Sequence, residues 1–182
     1  MIRVIGGSRR GKKLLTLSGA ETRPTLGRVR ESLMNILAPR LYGARVLDLF
    51  AGSGAFAIEC LSRGADSAVL CDSSPDAVKI IRKNLTECGF SAPVQCADFR
   101  DCLRRLSGGF DIIYLDPPYA EGYVSPAAKL IAERKLLSPG GVLVCEAEKG
   151  SLPDTLFGGL RFFDTRRYGS AELGFAENTE ED

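Results

Sequence analysis

The chain contains no histidine. That absence removes every mechanism that needs an imidazole base, and it leaves the cysteines without the usual partner in a mixed zinc site. The six cysteines, Cys60, Cys71, Cys88, Cys96, Cys102 and Cys145, include no Cys-x-x-Cys pair. Several fall in apolar strand-like or helical patterns, so they read as reduced, mostly buried small hydrophobes, and no metal is expected. Long apolar runs are also missing: none approaches the roughly 20 residues of a membrane-spanning helix. The start Met1-Ile2-Arg3-Val4 lacks the apolar core of a secretory leader, which makes a cytoplasmic protein with no membrane partner the expectation.

What is present fits one soluble domain. At 182 residues the chain is long enough to bury a full core, and 45% hydrophobic with 26% charged residues is a globular composition. The net charge of +1 hides an asymmetry. Residues 1–45 hold ten Lys or Arg against Glu21 and Glu31, a net of +8, so the remainder carries −7. A basic N-terminal region that meets a polyanion, attached to a body that does not, is the physical reading; a solvated basic arm is the plainer one.

Met1 to Ile5 and Lys13 to Leu17 read as two short strands around a glycine-rich basic loop carrying Arg9, Arg10, Lys12 and Lys13, cations able to follow a phosphate backbone. A helix is predicted next, with Thr25 as its N-cap, Val29, Leu33, Ile36 and Leu37 at helical spacing, and Pro39 as its stop. Arg45 to Phe50 is a strong strand, and Ala51-Gly52-Ser53-Gly54-Ala55 turns it into a helix over 56–62. Glycines there let a backbone approach a ligand closely. Strands at 68–71, 93–97, 111–115 and 142–146 alternate with helices at 75–88, 99–106 and 125–137, the last reaching its strand through Pro139-Gly140-Gly141. Leu160 to Tyr168 and Ser170 to Ala176 read as a hairpin turning at Gly169, and Glu177 to Asp182 as an acidic tail. Alternation of this kind implies a parallel sheet with helices on both faces, whose ligands bind beyond the carboxyl ends of the strands.

Four acids, Asp48, Asp72, Asp98 and Asp116, fall at those ends. Asp72 lies about 20 residues past the glycine turn, where a carboxylate suits ribose hydroxyls. Asp116-Pro117-Pro118-Tyr119 closes the apolar run 112–115. Two prolines supply no N–H, so their carbonyls need outside partners. An acid, free carbonyls and an aromatic face within four residues could hold a planar amine; a strand end followed by a rigid turn is the plainer reading.

These residues resemble the class I S-adenosylmethionine-dependent methyltransferases that modify exocyclic amines. With Arg23-Pro24-Thr25, Val29-Arg30-Glu31-Ser32-Leu33 and Arg10-Gly11-Lys12-Lys13-Leu14 added, the chain resembles the RsmD family of 16S ribosomal RNA guanine N2 methyltransferases from about Ile5 to Phe175. It departs at Met34, where Phe is usual, and at Tyr168-Gly169-Ser170-Ala171. The resemblance implies a Rossmann-like α/β fold: a mostly parallel seven-stranded sheet with helices on both faces and a C-terminal antiparallel hairpin. It also implies a basic N-terminal hairpin and helix over 1–40, a catalytic domain over 41–177 and a tail over 178–182. S-adenosylmethionine would be held by Asp48, Phe50, Gly52, Ser53, Gly54, Asp72, Asp98 and Phe99. Asp48 would accept from its ammonium, Asp72 from the ribose and Asp98 from the adenine amine. Asp116 and the Pro117 carbonyl would hold the guanine amine, with Pro118 completing the motif and Tyr119 stacking on the base. Arg9, Arg10, Lys12, Lys13, Arg23, Thr25 and Arg28 would contact 16S rRNA within a wholly or partly assembled small ribosomal subunit, with or without bound ribosomal proteins, and the enzyme would be a monomer.

Other classes share parts of this pattern. Gly52-x-Gly54 with Asp72 also suits a nucleotide-dependent oxidoreductase, although no histidine or Tyr-x-x-x-Lys is present for hydride chemistry. A ribosome assembly factor without activity, a DNA adenine N6 enzyme and a protein glutamine N5 enzyme are the remaining alternatives.

Overall fold

The computed structural model describes residues 2–17 and 24–179. Strands β1 (Ile2–Arg3) and β2 (Lys13–Leu14) pair antiparallel, and α1 (Pro24–Leu41) follows. The body then runs β3 (Arg45–Asp48), α2 (Ala55–Ser62), β4 (Ser67–Asp72), α3 (Pro75–Cys88), β5 (Val94–Cys96), α4 (Phe99–Arg105), β6 (Phe110–Leu115) and α5 (Val124–Glu133). It ends with β7 (Leu137–Glu148), β8 (Leu160–Tyr168) and β9 (Ala171–Asn178). Seven strands form one sheet in the order β5-β4-β3-β6-β7-β9-β8, parallel except where β9 runs antiparallel to both neighbours. The expected sheet and its C-terminal hairpin are therefore both present.

The pleat divides the core in two. Val46, Ile112, Tyr114, Val142 and Val144 pack with Val29, Leu33 and Met34 of α1, Ile58 of α2 and Ile81 of α3. Leu47, Ile113, Leu115, Leu143 and Cys145 pack on the other side with Phe99 and Leu103 of α4 and Ile131 of α5. Alternate residues of a strand point to opposite faces, so each strand feeds both layers. Five cysteines are buried and Cys96 is exposed. No helix among the described residues is long and apolar enough to cross a membrane.

Three expected boundaries change. Helix α1 begins at Pro24 and passes Pro39 to end at Leu41. Thr25 thus lies inside its first turn rather than at the cap, and its side chain is outside the described residues, as is Arg23 altogether. Proline at the first helical position loses no hydrogen bond, and Pro39 removes one two residues before the helix ends. Helix α5 stops at Glu133 rather than continuing to 137, because Lys135 takes a left-handed φ of 49°. Pro139-Gly140-Gly141 lies within β7 as an irregularity: Phe110 pairs with Leu137, then Ile112 pairs with Val142. A residue without an N–H is tolerated where the ladder is already broken.

The N-terminal arm is fastened to the body by buried polar groups. The Glu59 carboxylate, 1% exposed, accepts from Ile5 N at 2.8 Å, Gly6 N at 2.7 Å and Arg63 Nε at 2.9 Å. Ser62 Oγ accepts from Arg9 N and donates to the Gly6 carbonyl. Gly7 sits so close to α2 that a Cβ there would fall 1.8 Å from the Ser62 carbonyl oxygen. Asn84 of α3, fully buried, accepts from Leu15 N at 2.8 Å and donates to the carbonyls of Leu15 and Ser53. One amide thereby clasps the arm and the glycine turn together. Replacing Glu59 by Ala leaves two backbone donors without their acceptor, which costs about 2–4 kcal/mol. Denaturant unfolding should show that loss, and hydrogen exchange should show faster exchange of the Ile5 and Gly6 amides.

Candidate active site

The chain runs from β3 outward to β5 and then returns to β6 on the other side of β3, so the direction of winding reverses between β3 and β6. A crevice opens beyond the strand ends at such a point. Asp48 ends β3, Asp72 ends β4, Asp98 precedes α4 and Asp116 follows β6, so the four predicted acids share one rim.

Their surroundings differ. Asp48 is 1% exposed; its Oδ2 accepts a 3.3 Å bond from Ala57 N and its Oδ1 has no partner. Gly52 and Gly54 adopt left-handed φ values of 54° and 75°. A Cβ on Gly54 would crowd Leu70 at 3.2 Å, whereas one on Gly52 would meet nothing within 4 Å. Gly54 is therefore needed for packing, while Gly52 borders open space. Asp72 tightens this turn, taking Gly52 N at 2.8 Å on Oδ2 and Ser74 N at 2.9 Å on Oδ1. Asp98 caps α4 through Arg100 N at 2.8 Å and pairs with the Arg100 guanidinium. Phe99 is buried against Phe50 and Tyr123, ring centroids 5.3 and 5.1 Å away, with Arg100 over its face.

Phe50, Gly52 and Asp116 line two adjoining hollows. One, of about 210 Å³, reaches inward to Asp48, Arg30, Tyr114 and Glu146; the other, open to solvent, runs over Asp72, Ser73 and Pro117-Pro118-Tyr119. Asp48 pairs in register with Tyr114, Tyr114 with Val144, and Glu146 lies two residues further along β7. The period of two puts Asp48, Tyr114 and Glu146 on the face covered by α1 and α2. Tyr114 stacks on Phe56 with centroids 4.1 Å apart and donates to Glu146 Oε2 at 2.5 Å, while the Tyr119 hydroxyl reaches Glu146 Oε1 at 3.4 Å. Among the described residues, none donates a hydrogen bond to the Asp116 carboxylate.

Burial and mutual repulsion govern the charge here. Desolvation pushes Asp48 up to about 7, with Asp72 adding to the effect and the Ala57 bond opposing it. Asp116 is driven well above the ordinary carboxyl range, first by burial and then by Glu146 and Asp48. Glu146 is raised by burial and held back by its two tyrosine bonds. Neighbouring carboxylates in a low-dielectric site do not all ionise readily, which favours the protonated forms here.

Sequence reasoning assigned no role to Glu146, Tyr114, Tyr123 or Asn84, nor to Arg30, which it named only within the Val29-to-Leu33 stretch of the resemblance. An acid within the apolar run 142–147 was the available signal for Glu146, and the motif around Arg30 was the one for Arg30; Tyr114, Tyr123 and Asn84 carry no local mark. Among the predicted cations, Arg10, Lys12, Lys13 and Arg28 are exposed. Arg9 is half-buried, with Nε on the Cys88 carbonyl at 2.5 Å and its guanidinium over Phe90, so it fastens the arm to α3.

A carboxyl raised on folding binds more protons in the folded state, so its contribution to stability is complete below its ordinary pKa and is lost as pH rises through about 7 for Asp48. Denaturant unfolding of the empty protein should show a loss of about 2–3 kcal/mol from Asp48 between about pH 5 and about pH 8. Asp48→Asn should flatten that part of the dependence.

Solved and curated proteins share this architecture. YhhF of Escherichia coli, a proposed methyltransferase, superposes with a TM-score of 0.88 at 30% identity, covering 97% of both chains. YlbH of Bacillus subtilis, a proposed rRNA methyltransferase, is 38% identical over 85% of this chain and 88% of its own. Ribosomal RNA small subunit methyltransferase D of Escherichia coli is 36% identical over 81% of this chain and 75% of its own. Residues 2–177 match the family described as conserved hypothetical protein 95. With nearly the whole chain matched, and with the glycine turn and rim acids in place, the chain belongs to that family, the one that holds the small-subunit rRNA methyltransferase D proteins.

Proposed function

We propose that this protein is an rRNA methyltransferase that uses S-adenosylmethionine to methylate the exocyclic N2 amine of a guanine in 16S rRNA, on a wholly or partly assembled small subunit. The observation that carries the reading is the Asp116 carboxylate: it sits at the winding reversal, open on one side to the crevice and without a donor from the described protein.

The residues of the inner hollow fit such a cofactor. The Asp48 Oδ1 lacks a donor, and the space above Gly52 is one that a side chain would fill. Phe50 and Gly52 line both hollows and would flank the bound molecule, and Asp72 keeps lone pairs for hydroxyls beyond the two backbone bonds it accepts. Bound S-adenosylmethionine supplies an electrophilic methyl group on a positively charged sulfur.

The chain's own residues then address the nucleophile. A guanine amine delocalises its lone pair into the ring, so it attacks only when its N–H bonds are held by acceptors and the lone pair is aimed. Asp116 and the Pro117 carbonyl supply two acceptors on a backbone that the prolines stiffen. Tyr119, 42% exposed, offers a ring face on which an extruded base can stack. Burial first, and then Glu146 and Asp48, favour the protonated form of Asp116. A positively charged ligand in the hollow would oppose that preference, and an ionised Asp116 would stabilise the cation formed as the N–C bond develops and the S–C bond breaks, before the amine gives up a proton to water. Arg10, Lys12, Lys13 and Arg28 provide phosphate contacts that position RNA without reading its sequence.

Transfer of labelled methyl to small subunits from a strain lacking the protein tests the reading. Wild type should label a guanine N2, and Asp116→Ala should be slower by about 10²–10³ while still binding S-adenosylhomocysteine; equal rates would remove Asp116 from the chemistry. Subunits should be methylated faster than protein-free 16S rRNA under matched conditions. Replacing Arg10, Lys12 and Lys13 together by Ala should reduce the slope of log affinity against log salt by about 2–3.

A further inference from the structure

Among the described residues, two buried side-chain atoms have no hydrogen-bond partner, Arg30 Nε and Asp48 Oδ1. They are opposite in charge and belong to residues lining the same hollow. Arg30 projects from α1, the helix laid over the face that carries Asp48, Tyr114 and Glu146. Its Nη2 donates to the Arg3 carbonyl at 2.7 Å, which ties the guanidinium to β1. Glu59 is the carboxylate that acts most on its charge, but the oxygens of Glu59 are taken by Ile5 N, Gly6 N and Arg63 Nε, and no carboxylate of the described residues forms an ion pair with Arg30. A half-buried guanidinium whose Nε is buried without an acceptor, and which has no anion beside it, is an unfinished ion pair, and the geometry of its fork suits a carboxylate.

We propose that Arg30 is the receptor for the α-carboxylate of an amino-acid group bound in the inner hollow, opposite an ammonium at Asp48. This rests on the reading of the protein as a user of S-adenosylmethionine and assigns the methionine end of that molecule to a residue of the N-terminal helix. The hollow is walled by Val29, Leu33, Phe56 and Tyr114, apolar or aromatic surfaces that leave the two charged groups to fix orientation. An RNA phosphate is the competing anion. It fits less well, because Arg30 lines this hollow with its Nε buried, while Arg10, Lys12 and Lys13 are exposed. Arg30 also links the arm to catalysis: β1 holds the guanidinium, so the segment proposed to meet RNA also steadies the cofactor's receptor.

Calorimetric titration of the full chain with S-adenosylhomocysteine and with 5′-methylthioadenosine, which lacks the amino-acid end, separates the possibilities. Arg30→Gln should weaken S-adenosylhomocysteine binding by about 10- to 100-fold and leave methylthioadenosine binding within about twofold; Arg30→Lys should recover part of the loss. Parallel weakening of both ligands would mean that Arg30 only supports the fold and would overturn the assignment. So would unchanged S-adenosylhomocysteine binding, including the case in which RNA affinity alone falls. A wild-type protein that binds neither nucleoside would instead overturn the proposed cofactor, and this inference with it.

Discussion

The winding reversal between β3 and β6 is the constraint on which the site depends. It sets Asp48 beside Tyr114 in register, and β7 extends the same face to Glu146. Because side chains alternate with a period of two, a shift of one residue in either pairing would send these polar groups into the apolar layer beneath α4 and α5. The buried valines and isoleucines of the strands hold that register. Core packing therefore decides where the acids stand as directly as the acids' own chemistry does.

Concentrating carboxylates at a buried edge is unfavourable in the empty protein. Asp48, Asp116 and Glu146 are all displaced toward the protonated form, chiefly by burial. Each of these groups would be more readily ionised beside a positive charge. The unpartnered Arg30 Nε has the same character with opposite sign. Unsatisfied groups of both signs therefore belong to residues of one hollow whose walls are otherwise largely apolar.

The N-terminal arm belongs to this arrangement rather than hanging from it. Glu59 and Asn84 are buried polar residues that secure backbone amides of the arm, and Asn84 reaches the Ser53 carbonyl of the glycine turn as well. Helix α1 is further tied to the far side of the sheet by a hydrogen bond between Ser32 and Tyr168 and by Arg40 on the Gly140 carbonyl. The C-terminal hairpin thus helps to seat the helix from which Arg30 projects.

Most of the architecture was legible in local patterns: alternating strands and helices, the glycine turn after β3, and acids at four strand ends. Those signals arise from backbone propensities and burial periodicity, which act over a few residues. The boundaries that failed, at Pro39, at Lys135 and in Pro139-Gly140-Gly141, are places where long-range pairing or a helix's last turn outweighs local preference. For the site, the sequence alone determined which residues could accept hydrogen bonds and where the backbone could come close to a ligand. Only the tertiary structure decided which of those acids are already engaged, as Asp72 and Asp98 are, and which are left wanting, as Asp48 is. It alone brought Arg30 and Glu146 to the same hollow. Desolvation and partnership depend on contacts between segments far apart in the chain, and no local pattern encodes them.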